Sequence, residues 1–187
     1  DDLPRNDVEA VRLYKLSAEQ GFHHAQYNLG GMYKKGYGVK KNLREAFKWY
    51  KLSAGNGNVR GKHNVGISYL SGSGVPRNVA KAVRYFKAAA KAGFSDSQYN
   101  VGLIYYEGIG VPKNYDQAFK WYTLAAEQGQ AVAQYNLAQM YARGHGTIQD
   151  SVQAYKWFAL SYKSGMSMGK QGVDWAKKAM MRNELSE

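Results

Sequence analysis

The side chains able to do acid–base or metal chemistry are few and scattered. The imidazoles are His23, His24, His63 and His145. No HExxH or comparable ligand spacing is present, which a helical zinc site would need. His23 and His24 are consecutive, so on a helix they diverge by about 100 degrees. His63 stands in a column with Tyr27, Tyr99 and Tyr135, and His145 falls in a turn, so structural or surface roles are expected for all four. The carboxylates Asp7, Glu45, Asp96, Glu107 and Asp116 share no common register, and no acid–base pair is implied. The chain has no cysteine, which excludes a thiol nucleophile, a disulfide framework and a cysteine zinc site. No catalytic residue, cofactor site or metal site is therefore predicted.

Two other features could be taken for chemistry. Glycine-rich turns such as G-Y-G-V-K-K-N (36–42) resemble phosphate cradles, but they lack the Gly-Lys-Ser/Thr ending of a P-loop and follow no strand. They are expected to close helices. Sixteen tyrosines and four tryptophans among 26 basic residues suggest stacking platforms for nucleic acid. Most of these rings recur at fixed places, which favours a packing role; Tyr37, Tyr106 and Tyr115 fall outside the columns and are better candidates for contact.

The elements that must position these residues are set by a repeat. Gly36, Gly72, Gly108 and Gly144 are 36 residues apart, as are Ala10, Ala46, Ala82, Ala118 and Ala154. Trp49, Tyr85, Trp121 and Trp157 keep the same step, and so do Tyr33, Tyr69, Tyr105 and Tyr141 and the glycines at 21, 57, 93, 129 and 165. Within each period two helical patterns alternate. Ala25, Leu29 and Tyr33 put apolar and small residues on one face of a first helix, helix A. Ala46, Trp49, Tyr50, Ser53 and Ala54 form the stripe of a second, helix B, backed by Arg44, Lys48 and Lys51.

The link between them carries its own punctuation. The first glycine closes helix A in the left-handed conformation, and the second keeps the turn tight. Asn42, Asn78, Asn114 and Asp150 then cap helix B, as Asn6 does at the start. Glu9, Glu45, Gln117 and Gln153 three residues later have the spacing of a capping box, with Lys81 as the exception. Gly30, Gly66, Gly102 and Ala138 on helix A would let helices approach closely while aromatic rings fill the spaces between layers. One pair of short helices cannot bury its own stripe, so stacked pairs must form the core. The fold class expected is all-α: a right-handed α-solenoid of 36-residue helix-turn-helix repeats.

The pattern A-Q-Y-N-L-G-x-M-Y-x-x-G-x-G-V-x-x-N followed by A-x-x-W-Y-x-x-A-A-x-x-G resembles the Sel1-like repeat family, relatives of tetratricopeptide repeats with a longer internal turn. The resemblance covers essentially residues 3–167. It implies a helix-pair solenoid that works as an adaptor through the surface of its superhelix, and it favours a periplasmic or secreted protein over a cytoplasmic one. The cysteine-rich branch of that family staples each repeat with a disulfide, and this chain departs from it completely.

On this frame residues 3–24 form a partial repeat holding only helix B, four repeats occupy 25–60, 61–96, 97–132 and 133–168, and 169–187 form a capping helix with a more polar outer face. The unpaired N-terminal helix B suggests that a preceding helix has been lost or lies outside this sequence, and it leaves a face through which the chain could self-associate. The chain opens on Asp1 without a leader, which suggests a trimmed or partial chain, and no apolar run approaches the roughly 20 residues of a membrane span.

Function is then expected on helix A, the concave side by analogy with tetratricopeptide repeats. Its variable positions include Lys34, Lys35, Ile67, Leu70, Leu103, Tyr106, Gln139 and Arg143. Ile67, Leu70, Leu103 and Tyr106 would make an apolar centre with basic groups toward both ends, suited to a peptide or partner helix with acidic flanks. The alternative is that some of these side chains pack between helices. Asn28, Asn64, Asn100 and Asn136 form a ladder that could hold an extended peptide backbone or bond neighbouring repeats. The formal charge of +12 and pI near 9.7 keep anionic polymers, nucleic acid or envelope glycan, as a second class of partner, and the family resemblance leaves a cell-wall hydrolase as a further alternative, for which no nucleophile and base pair can be named.

Overall fold

The computed structural model describes residues 6–184. Its helices, in chain order, are α1 (Asp7–Glu19), α2 (His23–Lys35), α3 (Leu43–Gly55), α4 (Val59–Ser71), α5 (Val79–Lys91), α6 (Ser95–Glu107), α7 (Tyr115–Glu127), α8 (Ala131–Arg143), α9 (Ser151–Lys163) and α10 (Met168–Glu184). No strand occurs among the described residues, so the fold is an all-α repeat. Helix B corresponds to α1, α3, α5, α7 and α9, and helix A to α2, α4, α6 and α8. Each helix A begins two residues before the expected repeat boundaries at 25, 61, 97 and 133. The chain divides into two compact units between Ala92 and Gly93, the first holding α1 to α5 and the second α6 to α10.

The punctuation works as local chemistry requires. Gly36, Gly72, Gly108 and Gly144 end helix A with φ between 68° and 76°. The Oδ1 atoms of Asn42, Asn78, Asn114 and Asp150 accept from the first free amides of helix B at 2.9–3.1 Å. The return half of the capping box is replaced by another bond. The backbone N–H groups of these four residues donate to the carbonyls of Tyr33, Tyr69, Tyr105 and Tyr141 at 2.8–3.0 Å, tying the start of helix B to the end of helix A. Glu45 is left to face Lys48 at 3.8 Å, and Lys81 at the same position removes no cap bond.

The second glycine of the turn does more than tighten it. A Cβ on Gly38 or Gly74 would lie 2.0 Å from the carbonyl oxygen of Asp7 or Leu43, the first residue of the preceding helix B. On Gly146 it would lie 2.4 Å from that of Tyr115. Backbone therefore meets backbone between consecutive repeats, where only glycine fits.

The core is built from the small-against-large columns. A Cβ on Gly30, Gly66 or Gly102 would stand 2.8, 2.9 or 2.6 Å from the ring of Tyr50, Phe86 or Tyr122 on the following helix B. Each of those rings, and Phe158 of α9, also meets an aromatic one turn earlier on helix A: Tyr27 on Tyr50, His63 on Phe86, Tyr99 on Tyr122, and Tyr135 on Phe158. Leu29, Val65, Val101 and Leu137 are fully buried beside them. At the chain's far end Ala176 of α10 is buried, and Gly172 abuts the Phe158 ring so closely that no Cβ could be added. The outer side of α10 carries exposed Trp175 and Met181 beside its lysines, so it is less polar than expected. On α1, Val8, Leu13 and Leu16 are exposed.

Candidate functional site

Helix A of each unit helps to wall a pocket. In the second unit α6 supplies Tyr99, Leu103, Tyr106 and Glu107, α7 supplies Tyr122, and α8 supplies Asn136, Gln139 and Arg143, around a pocket of about 290 Å³. Five residues expected from the sequence, Leu103, Tyr106, Asn136, Gln139 and Arg143, thus share one site. Its floor is aromatic, with Tyr99 and Tyr122 ring centroids 5.9 Å apart and Tyr106 6.4 Å from Tyr122. Exposed Arg143 and Glu107 stand at the rim, where a cation and an anion can each meet a ligand.

The hydroxyls of this floor are held neutral. Burial, with Tyr99 nearby, pushes the Tyr122 phenol far above its usual range, and burial raises Tyr99 as well; the amide of Asn136 beside them opposes the shift. Asn136 on α8 stands with tyrosines of α6 and α7 in the wall of one pocket. Gln139 is also engaged, its Nε2 donating to the Tyr135 hydroxyl at 2.7 Å.

Beside the pocket lies a cluster that the sequence did not disclose. His145 stacks on Tyr115 with centroids 4.3 Å apart and planes 8° from parallel, and its Nδ1 is 3.2 Å from the Tyr106 hydroxyl. Arg143 Nη1 donates to the same hydroxyl at 3.4 Å. His145 was expected to be structural or surface because it falls in a turn; the turn delivers it to rings of the preceding repeat. The only trace of it in the sequence is that a ring stands one period after Ile109, in the turn after helix A.

In the first unit the equivalent pocket, about 310 Å³, is lined by Asn28, Gly31, Met32, Lys34, Lys35 and Tyr27 of α2, with Tyr14, Tyr37, Tyr50 and Asn64 around it. Four expected residues, Asn28, Lys34, Lys35 and Asn64, meet here. Burial beside Tyr27 pushes the Tyr50 phenol up to about 12. Asn64 donates to the Arg60 carbonyl of its own helix at 3.2 Å. Lys35 lies over the exposed ring of Tyr37, 5.5 Å from its centroid.

Three expected residues are not part of these walls. Ile67 and Leu70 are half-buried on α4, where the Leu70 carbonyl accepts from Arg77 Nε at 3.1 Å, and Asn100 is half-buried on α6. Among the described residues no cluster of three or more His, Cys, Asp or Glu side chains could hold a metal ion, and no helix is long and apolar enough to cross a membrane.

A family model described as Sel1 repeat matches residues 1–22, 23–58, 59–94, 95–130 and 131–166. The chain belongs to the Sel1-repeat family. Sel1-repeat proteins are in general protein–protein interaction scaffolds without catalysis of their own. Among solved structures, the chain is similar to c5321, a protective antigen of uropathogenic Escherichia coli with an SLR fold: 35% identity, TM-score 0.89, over 92% of this chain and 37% of that one. A Sel1 repeat protein of Oxalobacter formigenes is 34% identical with a TM-score of 0.83, over 90% of this chain and 67% of that one. Helicobacter pylori cysteine-rich protein B shares the fold at 22% identity and a TM-score of 0.57, over 71% of this chain and 96% of that one. This Sel1-repeat chain thus spans little more than a third of the E. coli antigen's length. No curated protein matches it.

Proposed function

We propose that this Sel1-repeat chain is a non-catalytic adaptor that binds a protein or peptide through helix A. The observation that supports it is the convergence of Leu103, Tyr106, Asn136, Gln139 and Arg143 on one pocket with an aromatic floor and charged rim. Such a floor takes an apolar or aromatic side chain, and the amides and charges at the rim suit the backbone and flanks of an extended segment. In the first unit Lys34 and Lys35 make the corresponding rim basic, which suits acidic residues in the partner.

Selection from a random peptide library on the immobilised chain tests this reading. Selected peptides should bind wild type and lose at least tenfold in affinity to Arg143→Ala. That substitution removes an exposed side chain and should leave the melting temperature unchanged. Peptides that bind both proteins equally, or whose binding disappears steeply with salt regardless of sequence, would refute the pocket and favour the electrostatic reading.

A further inference from the structure

A second kind of pocket lies in the first unit, away from the helix A sites. It measures about 400 Å³ and is lined by Lys51 of α3, Tyr69 of α4 and Lys81, Arg84, Tyr85 and Ala88 of α5. Tyr69 and Tyr85 are stacked at 5.9 Å, and Lys81 Nζ lies 5.4 Å from the Tyr69 centroid.

This pocket exists because one repeat departs from the others at three places that meet there. Where the other copies have Glu9, Glu45, Gln117 or Gln153, this one has Lys81; where three have Trp49, Trp121 or Trp157 it has Tyr85; and where the others have Leu16, Leu52, Leu124 or Leu160 it has Ala88. Two changes remove bulk and the third adds a cation. The preceding copy shows what is lost by them: there Glu45 answers Lys48 at 3.8 Å. Here no acidic side chain lines the pocket, and among the described residues none of Lys51, Lys81 and Arg84 forms an ion pair.

We infer that this pocket binds a phosphate-monoester type of dianion. A phosphoryl group offers three oxygens to three cations, and the Arg84 fork suits two of them at once. A single carboxylate would leave two of the three charges unanswered. The pocket is independent of the helix A reading, since it shares no residue with either helix A site.

The test is titration of the full chain with inorganic phosphate at fixed ionic strength, followed by amide NMR shifts, with acetate as the carboxylate control. Saturable shifts are expected in residues 81–88 and around Lys51 and Tyr69. Lys81→Gln, which restores the residue type of two other repeats, should weaken binding at least fivefold, and so should the charge-neutral Ala88→Leu. Lys156→Gln, an equal loss of charge on α9, should not. Shifts that never saturate, equal weakening by Lys81→Gln and Lys156→Gln, or acetate binding as tightly as phosphate would overturn the inference. Vesicles of phosphatidylcholine with phosphatidate, compared with phosphatidylserine, identify the source. Lys81-dependent retention on phosphatidate alone assigns a lipid headgroup, and phosphate binding without retention assigns a soluble ester; both uphold the site.

Discussion

Tyr122 is 1% exposed, and a Cβ on Gly102 would lie 2.6 Å from its ring. Gly102→Leu must push that ring or the helix aside, at a cost of roughly 2–3 kcal/mol by the usual scale of overpacking. Lys48→Ala, whose 3.8 Å contact with Glu45 is largely exposed, should change stability by less than about 0.5 kcal/mol. Denaturant unfolding of the two variants gives the comparison, and equal stabilities would remove the packing assignment. A second residue shows a repeat left incomplete. The buried Gln26 and Gln98 carboxamide oxygens accept from Asn56 and Gln128, the residues just past the next helix B, at 3.0 and 2.6 Å. Gln134 is in the same place, but its counterpart is Ser164, too short to reach, and its Oε1 has no hydrogen-bond partner among the described residues. Ser164→Gln should therefore stabilise the chain by about 1 kcal/mol, read as a rise in denaturation midpoint, whereas Ser164→Ala should not.

At the scale of the element, the turn between helix A and helix B joins three things: the end of one helix, the start of the next and the preceding repeat. Gly74 and Gly57 both have positive φ, 74° and 92°, so alanine is strained at either. Only at Gly74 would the new Cβ strike the Leu43 carbonyl, while nothing lies within 4 Å of one at Gly57. Gly74→Ala should consequently cost at least about 2 kcal/mol more than Gly57→Ala, since backbone and not a pliable side chain must move. Equal melting temperatures for the two variants would mean that the turn does not hold neighbouring repeats together. The same distinction explains what was legible in the sequence. Caps, left-handed glycines and the small-against-large columns obey rules that act within a few residues and recur every 36, so their roles could be read from Asn42, Gly36 and Gly102 alone. Periodicity also showed which helix A positions vary, and it located Tyr106, Gln139 and Arg143. It could not show which side chains a turn delivers to the site: His145 reaches Tyr106 from a turn 39 residues away.

At the scale of the whole chain, a formal charge of +12 and two deeply buried phenols tie stability to alkaline pH. Tyr50 in the first unit titrates near 12 because burial disfavours the phenolate, against about 10 when the chain is unfolded. The folded protein thus holds this proton more tightly than the unfolded one. Stability from it is complete below about pH 10 and is lost as pH rises from there through about 12. Tyr122 in the second unit is shifted in the same direction for the same reason. Free lysine side chains in general also lose charge in this range, so the phenols must be isolated by substitution. Phe86 and Phe158 already occupy the equivalent positions in other repeats, which shows that the ring fits without its hydroxyl. Tyr50→Phe and the double variant with Tyr122→Phe should match wild type closely near neutral pH. Above about pH 10 they should lose melting temperature less steeply than wild type, the double variant least of all. Parallel decline of all three proteins would mean that lysine neutralisation sets the alkaline limit and that the buried hydroxyls reach water before the fold gives way.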